Sequence, residues 1–117
     1  MLMLPPSVRV FLCLVPVDMR RSFDGLAAMV EQVVCESPLS GHLFVFLGRR
    51  GDRVKILYWD RDGYALWYKR LEAGTFRFPA GASDSKEIPA SDLALLLEGV
   101  DLSSVKRHKR FSLPRAT

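Results

Sequence analysis

The feature that most constrains the fold is the stretch from His42 to Pro79. Its apolar residues recur with a period of two, and glycine-bounded turns break it into short pieces. Leu43-Phe44-Val45-Phe46-Leu47 is a dense apolar strand, and Gly48-Arg49-Arg50-Gly51-Asp52 is a turn. Arg53 to Trp59 is a second strand, and Asp60-Arg61-Asp62-Gly63 signals a hairpin. Tyr64 to Leu71 is a third strand. After Glu72-Ala73-Gly74, Thr75 to Phe78 is a fourth. Loops this short join neighbours, so the segment reads as an antiparallel meander.

The flanks add a fifth strand and two helices. Ser7 to Val15 is aliphatic on both sides, the pattern of a strand buried on both faces, and Pro16 ends it. From Ser22 to Val34 the period changes. Phe23, Leu26, Ala27, Val30, Val33 and Val34 fall on one face of a helix that Ser22 caps and Ser37-Pro38 stops. Ser91 to Gly99 repeats the pattern with Leu93, Leu96 and Leu97, while Ala80 to Lys86 reads as a loop. The expected architecture is α+β. An antiparallel meander of about four to five strands carries two helices on one face, with a basic C-terminal tail. A chain of 117 residues holds one such core. Residues 1–101 are expected to form the domain and 102–117 a flexible tail.

Several classes are excluded. The longest apolar run, Val10 to Val17, is far short of the ~20 residues of a spanning helix. Met1-Leu2-Met3-Leu4-Pro5-Pro6 has no basic residue, Arg9 interrupts the apolar stretch and no small-x-small cleavage site follows, so the N-terminus does not read as a signal peptide, and a cytoplasmic protein is expected. Two cysteines, Cys13 and Cys35, without a Cys-x-x-Cys or a His/Cys cluster, give neither a disulfide framework nor a structural zinc site.

Charge carries the functional signal. The net charge is +4, but residues 49–78 alone hold eight basic and four acidic groups. Residues 102–117 hold five basic and none acidic, including Lys106-Arg107-His108-Lys109-Arg110. Segregated positive charge is the footprint of a polyanion binder. Candidate contacts are Arg49, Arg50 and Arg53 of the turn, Arg20 and Arg21 ahead of the first helix, and Lys106, Arg107, Lys109 and Arg110 of the tail. A three-residue loop Arg61-Asp62-Gly63, with glycine left-handed, would add a mixed face. Arg53, Lys55, Trp59, Trp67 and Lys69 would interleave cations with indoles, joined by Arg77 and flanked by Arg70. The competing structural reading buries the tryptophans under a helix while the cations snorkel past them. A two-residue turn would shift one strand and dissolve the face.

Catalysis finds little support. Asp60 and Asp62 could share a metal, but both fit a turn. His42 opens a strand, and no phosphate loop, dinucleotide fingerprint or zincin motif occurs. No catalytic residue, metal or cofactor is expected.

Four blocks carry a resemblance. They are Met19-Arg20-Arg21-Ser22-Phe23-Asp24-Gly25-Leu26, Ser40-Gly41-His42-Leu43-Phe44-Val45-Phe46, the run from Arg49 to Gly63, and Leu66-Trp67-Tyr68-Lys69-Arg70-Leu71-Glu72. Together they resemble the TnpB or Orf2-like accessory proteins of the insertion-sequence family numbered sixty-six, from about Val8 to Leu102. The resemblance implies a non-catalytic role in DNA transposition beside a separate, larger transposase. DNA and that transposase are the implied partners, with self-association open. Two readings remain: a DNA-binding accessory subunit, or an adaptor that binds the transposase or itself without touching DNA. A metal-dependent nuclease ranks last.

Overall fold

The computed structural model describes residues 4–102. Five strands form one sheet in the order β4-β3-β2-β1-β5. They are β1 (Val10–Val17), β2 (Leu43–Gly48), β3 (Arg53–Asp60), β4 (Gly63–Arg70) and β5 (Ser85–Ile88). Helix α1 (Phe23–Met29) runs into a π-helical turn, Val30–Val34, and α2 (Ala90–Leu97) follows β5. The α+β class, the sheet and the two helices are as the sequence predicts. The expected basic tail lies, from residue 103 on, outside the described residues.

The pairing is not a pure meander. β2–β3, β3–β4 and β1–β5 are antiparallel, but β1 and β2 run parallel. Parallel neighbours need a crossover, and α1 with its π turn is that crossover. β1 therefore lies inside the sheet, and its residues alternate between two cores. Val10 and Leu12 join one cluster, Phe11 and Cys13 the other. The strand continues through the exposed Pro16, where its register against β2 slips between Cys13 and Val17.

The helices lie on opposite faces of the sheet, which corrects the one-face expectation. Leu26, Ala27, Val30 and Val34 pack with Phe11, Phe44, Phe46 and Leu57. Leu93, Leu96 and Leu97 pack with Val10, Leu12, Val45 and Ile56. The β2 and β3 runs have apolar residues on both sides, so both sides need cover. The predicted fourth strand is also corrected. Thr75 to Phe78 is not a strand, and its Phe76 is buried as a loop anchor, with its N–H on Gly51 O at 2.8 Å. The fifth strand is instead Ser85–Ile88, within and just beyond the predicted loop. Only Ile88 of its four residues is buried, so the segment has no apolar alternation to read.

The first helix ends at Cys35, which adopts φ 60 before Ser37-Pro38 is reached. The second begins at Ala90 with Pro89, not Ser91, at the cap position.

The β3–β4 hairpin decides where the aromatic residues go. Its pairs run from Arg53↔Arg70 to Asp60↔Gly63, leaving a two-residue loop of Arg61 and Asp62. The left-handed residue is Arg61, with φ 54, and not Gly63 as predicted. A left-handed non-glycine residue costs roughly 1–2 kcal/mol. Arg61→Gly should therefore raise the thermal midpoint, and Arg61→Val should lower it. A Cβ on Gly63 would meet nothing within 4 Å, so Gly63→Ala should leave the midpoint nearly unchanged. Thermal melts of the three variants check this.

Candidate nucleic-acid interface

Parallel β1 and β2 end side by side, with Val17 paired to Gly48. The carboxyl ends of parallel strands are where open sheets leave room for ligands. Here the chain leaves β1 through Asp18-Met19-Arg20 and leaves β2 through the arginine turn. Between them lies a cleft of about 350 Å³, whose lining includes Asp18, Arg20, Arg49, Arg50, Asp52 and Arg53. Thus four of the predicted arginines converge from two separate segments.

Local chemistry shapes the cleft. The turn closes with Gly51 N–H on Gly48 O at 3.0 Å, and Gly51 takes φ +79, which glycine adopts without strain. A Cβ on Gly48 would lie 2.8 Å from Met19 Cγ, so the small residue lets the two exits approach. Asp18 and Arg20 form a two-point pair, Nε to Oδ1 at 3.0 Å and Nη2 to Oδ2 at 2.6 Å. The Arg20 hydrogen bonds hold the Asp18 carboxyl well below the usual carboxylate range, and Arg49 adds to the effect. The pair is exposed and contributes little stability, but it fixes the Arg20 fork at the rim.

Lys55 has a different role from the one predicted. Its residue is only 6% exposed, and its Nζ donates to Met19 O at 2.7 Å and Arg21 O at 2.8 Å. The ammonium ties down the loop that carries Arg20 and is not presented to a ligand. Above it lies Tyr68, with Nζ 4.8 Å from the ring centroid. Arg53 Nη1 donates to Tyr68 Oη at 3.2 Å. Tyr68 is 48% exposed, an aromatic surface beside the cleft that is absent from the candidate contacts singled out in the sequence. Finding it required the hairpin register.

That register dissolves the predicted mixed face. Ile56 pairs with Trp67, and Trp59 with Tyr64, so the two tryptophans lie on opposite faces. Trp59 packs edge-on against Tyr64 with centroids 5.1 Å apart, at the hairpin end away from the cleft. Trp67 and Lys69 instead line a groove of about 640 Å³ with Tyr58, Ala94 and Leu97. Arg70 pairs with Glu72 at 3.3 Å, and Arg77 is exposed but does not line the cleft. Arg21 lies along the start of α1, its Cβ and Cγ each 3.4 Å from where a Cβ on Gly25 would stand. Lys106, Arg107, Lys109 and Arg110 lie outside the described residues.

The remaining polar candidates have structural places. His42 Nδ1 accepts the Arg9 backbone N–H at 2.9 Å, just ahead of β2. Asp62 N–H bonds Asp60 O at 2.5 Å within the hairpin tip. Among the described residues, no three His, Cys, Asp or Glu side chains gather as a metal site would need. Nor does any described helix have the length and apolarity to cross a membrane.

The chain is an α+β domain with an arginine-lined cleft, and the comparisons place it in a family. The family model for the IS66 Orf2 like protein matches residues 8–107, so the chain belongs to that family. Protein y4jC of Sinorhizobium fredii (strain NBRC 101917 / NGR234) is 37% identical over 107 residues, covering 90% of this chain and 92% of its own. Protein y4hO of the same strain is 40% identical over 95 residues, covering 81% and 83%. No solved structure matches the chain. Membership ties the chain to insertion-sequence transposition in an accessory role.

Proposed function

We propose that the chain is a DNA-binding accessory subunit of insertion-sequence transposition that takes the phosphate backbone in the arginine cleft. The observation that carries this reading is the convergence of Arg20, Arg49, Arg50 and Arg53 on one open cleft. Four arginines against Asp18 and Asp52 leave the cleft net positive. Guanidinium forks suit phosphate oxygens, and Tyr68 beside Arg53 offers a base or sugar a flat apolar neighbour. Contacts of this kind position a protein on DNA without reading sequence. The transposase of the same element is the partner such a subunit would assist.

The test is a titration of the purified protein with element-end and unrelated duplexes across a salt series. Each phosphate neutralised contributes about −0.9 to the log–log salt slope. Replacing Arg49, Arg50 and Arg53 together by alanine should flatten the slope by about 2–3 and weaken both duplexes alike. An absence of binding at low salt overturns the reading and leaves an adaptor that contacts only the transposase.

A further inference from the structure

The outer strand β4 has a free edge of unusual regularity. Its ladder to β3 runs without a break from Asp60↔Gly63 to Arg53↔Arg70. Leu71 N–H donates to Asp52 O at 2.7 Å, which extends the ladder and sets its phase. The odd-numbered residues of β4 therefore bond to β3. The backbone groups of Tyr64, Leu66, Tyr68 and Arg70 point away from the sheet. Among the described residues no strand takes them. Proteins usually blunt such edges with bulges, prolines or inward charges. β4 has neither bulge nor proline, and its only charges are Lys69 and Arg70 at one end.

We propose that a second copy of the chain pairs along this edge, β4 against β4, antiparallel about a two-fold axis at Trp67. This register matches all four outward-pointing residues. Tyr64 meets Arg70 of the second copy, and Leu66 meets Tyr68. Lys69 meets Ala65, and Trp67 meets its own equivalent. A parallel pairing would set the two Lys69-Arg70 ends side by side, whereas the antiparallel one separates them by the strand's length. Charge also favours the contact. Asp24 of α1 and Glu31 of the π-helical turn lie close enough to Tyr64 to act, after burial, on its hydroxyl, raising its pKa. Arg70 of the second copy would thus arrive over a tyrosine ring in an acidic field. Its present partner, Glu72, is an exposed surface pair that competes weakly. The contact closes two unsatisfied edges at once and continues the sheet across the two-fold axis.

Sedimentation equilibrium of the full chain over a dilution series should show a dimer. Tyr68→Pro removes an outward N–H without touching the β3 ladder, and should weaken the dimer by about tenfold or more. Register is read separately by cross-linking in a Cys35→Ser background. Trp67→Cys falls on the axis in a non-hydrogen-bonded pair, where Cα atoms are about 4.5 Å apart and a disulfide forms. It should give a covalent dimer on mild oxidation, while Ala65→Cys, facing Lys69, should not. A monomer throughout the series overturns the proposal. So does a dimer in which Trp67→Cys fails to cross-link, since association would then use another surface.

Discussion

Replacing Lys55 by methionine should release the loop that carries Arg20. The buried ammonium donates to Met19 O and Arg21 O, and methionine keeps the apolar stem while removing both bonds. Hydrogen bonds from a charged group contribute about 1.5–3 kcal/mol each. Removing a buried charge recovers part of its desolvation cost, so the net loss should be about 1–3 kcal/mol. For a domain near this size each 1 kcal/mol lowers the thermal midpoint by roughly 4–8 °C. Trypsin should also cut faster after Arg20 and Arg21 in the native variant, because the tether that holds their backbone is gone. An unchanged midpoint together with unchanged cleavage would mean that the ammonium is not the anchor of the loop.

Phe44→Ala should cost more stability than any single surface change. Phe44 is fully buried near the start of β2, stacked on Phe11 with centroids 5.6 Å apart, in the cluster that α1 covers. Truncating a buried phenylalanine costs about 3–5 kcal/mol, lost transfer energy plus the cavity left behind. Domains of this kind hold about 5–15 kcal/mol in total. A large part of the population should therefore unfold at low urea, with the midpoint shifted and the slope unchanged. Leu39→Ala is the control. That residue is 55% exposed, and its loss should shift the midpoint little. Equal shifts for the two would contradict the described core.

The candidate site was legible as residue types and not as an arrangement. The arginines of Arg49-Arg50-Gly51-Asp52-Arg53 stand out in the sequence because glycines bound them. Arg20 stands out because it precedes a helix. Nothing local says that the two segments meet. They meet because β1 and β2 run parallel, and a parallel pair brings both carboxyl ends to the same side. Lys55 was misread for a related reason. In a strand of alternating residues a lysine marks a solvent-facing side, but here a loop from another part of the chain covers it and uses its charge. Tyr68 was hidden by the hairpin loop, since a three-residue loop and a two-residue loop send it to opposite faces.

The elements legible before folding are those whose signals are local. The three strands from Leu43 to Arg70 announce themselves through alternation and turn residues. The two helices do so through apolar spacing, and the positive charge through its clustering. Which faces those elements share follows from long-range packing. That packing set α1 and α2 on opposite sides of the sheet, paired β1 in parallel, and recruited Ser85–Ile88 as an edge strand without an apolar pattern of its own. It also moved the hairpin register by one residue, which separated Trp59 from Trp67. The physical reason is the side-chain period of a strand. With a period of two, a slip of one residue changes no local propensity yet reverses every face, so only packing against distant residues can choose between the two registers.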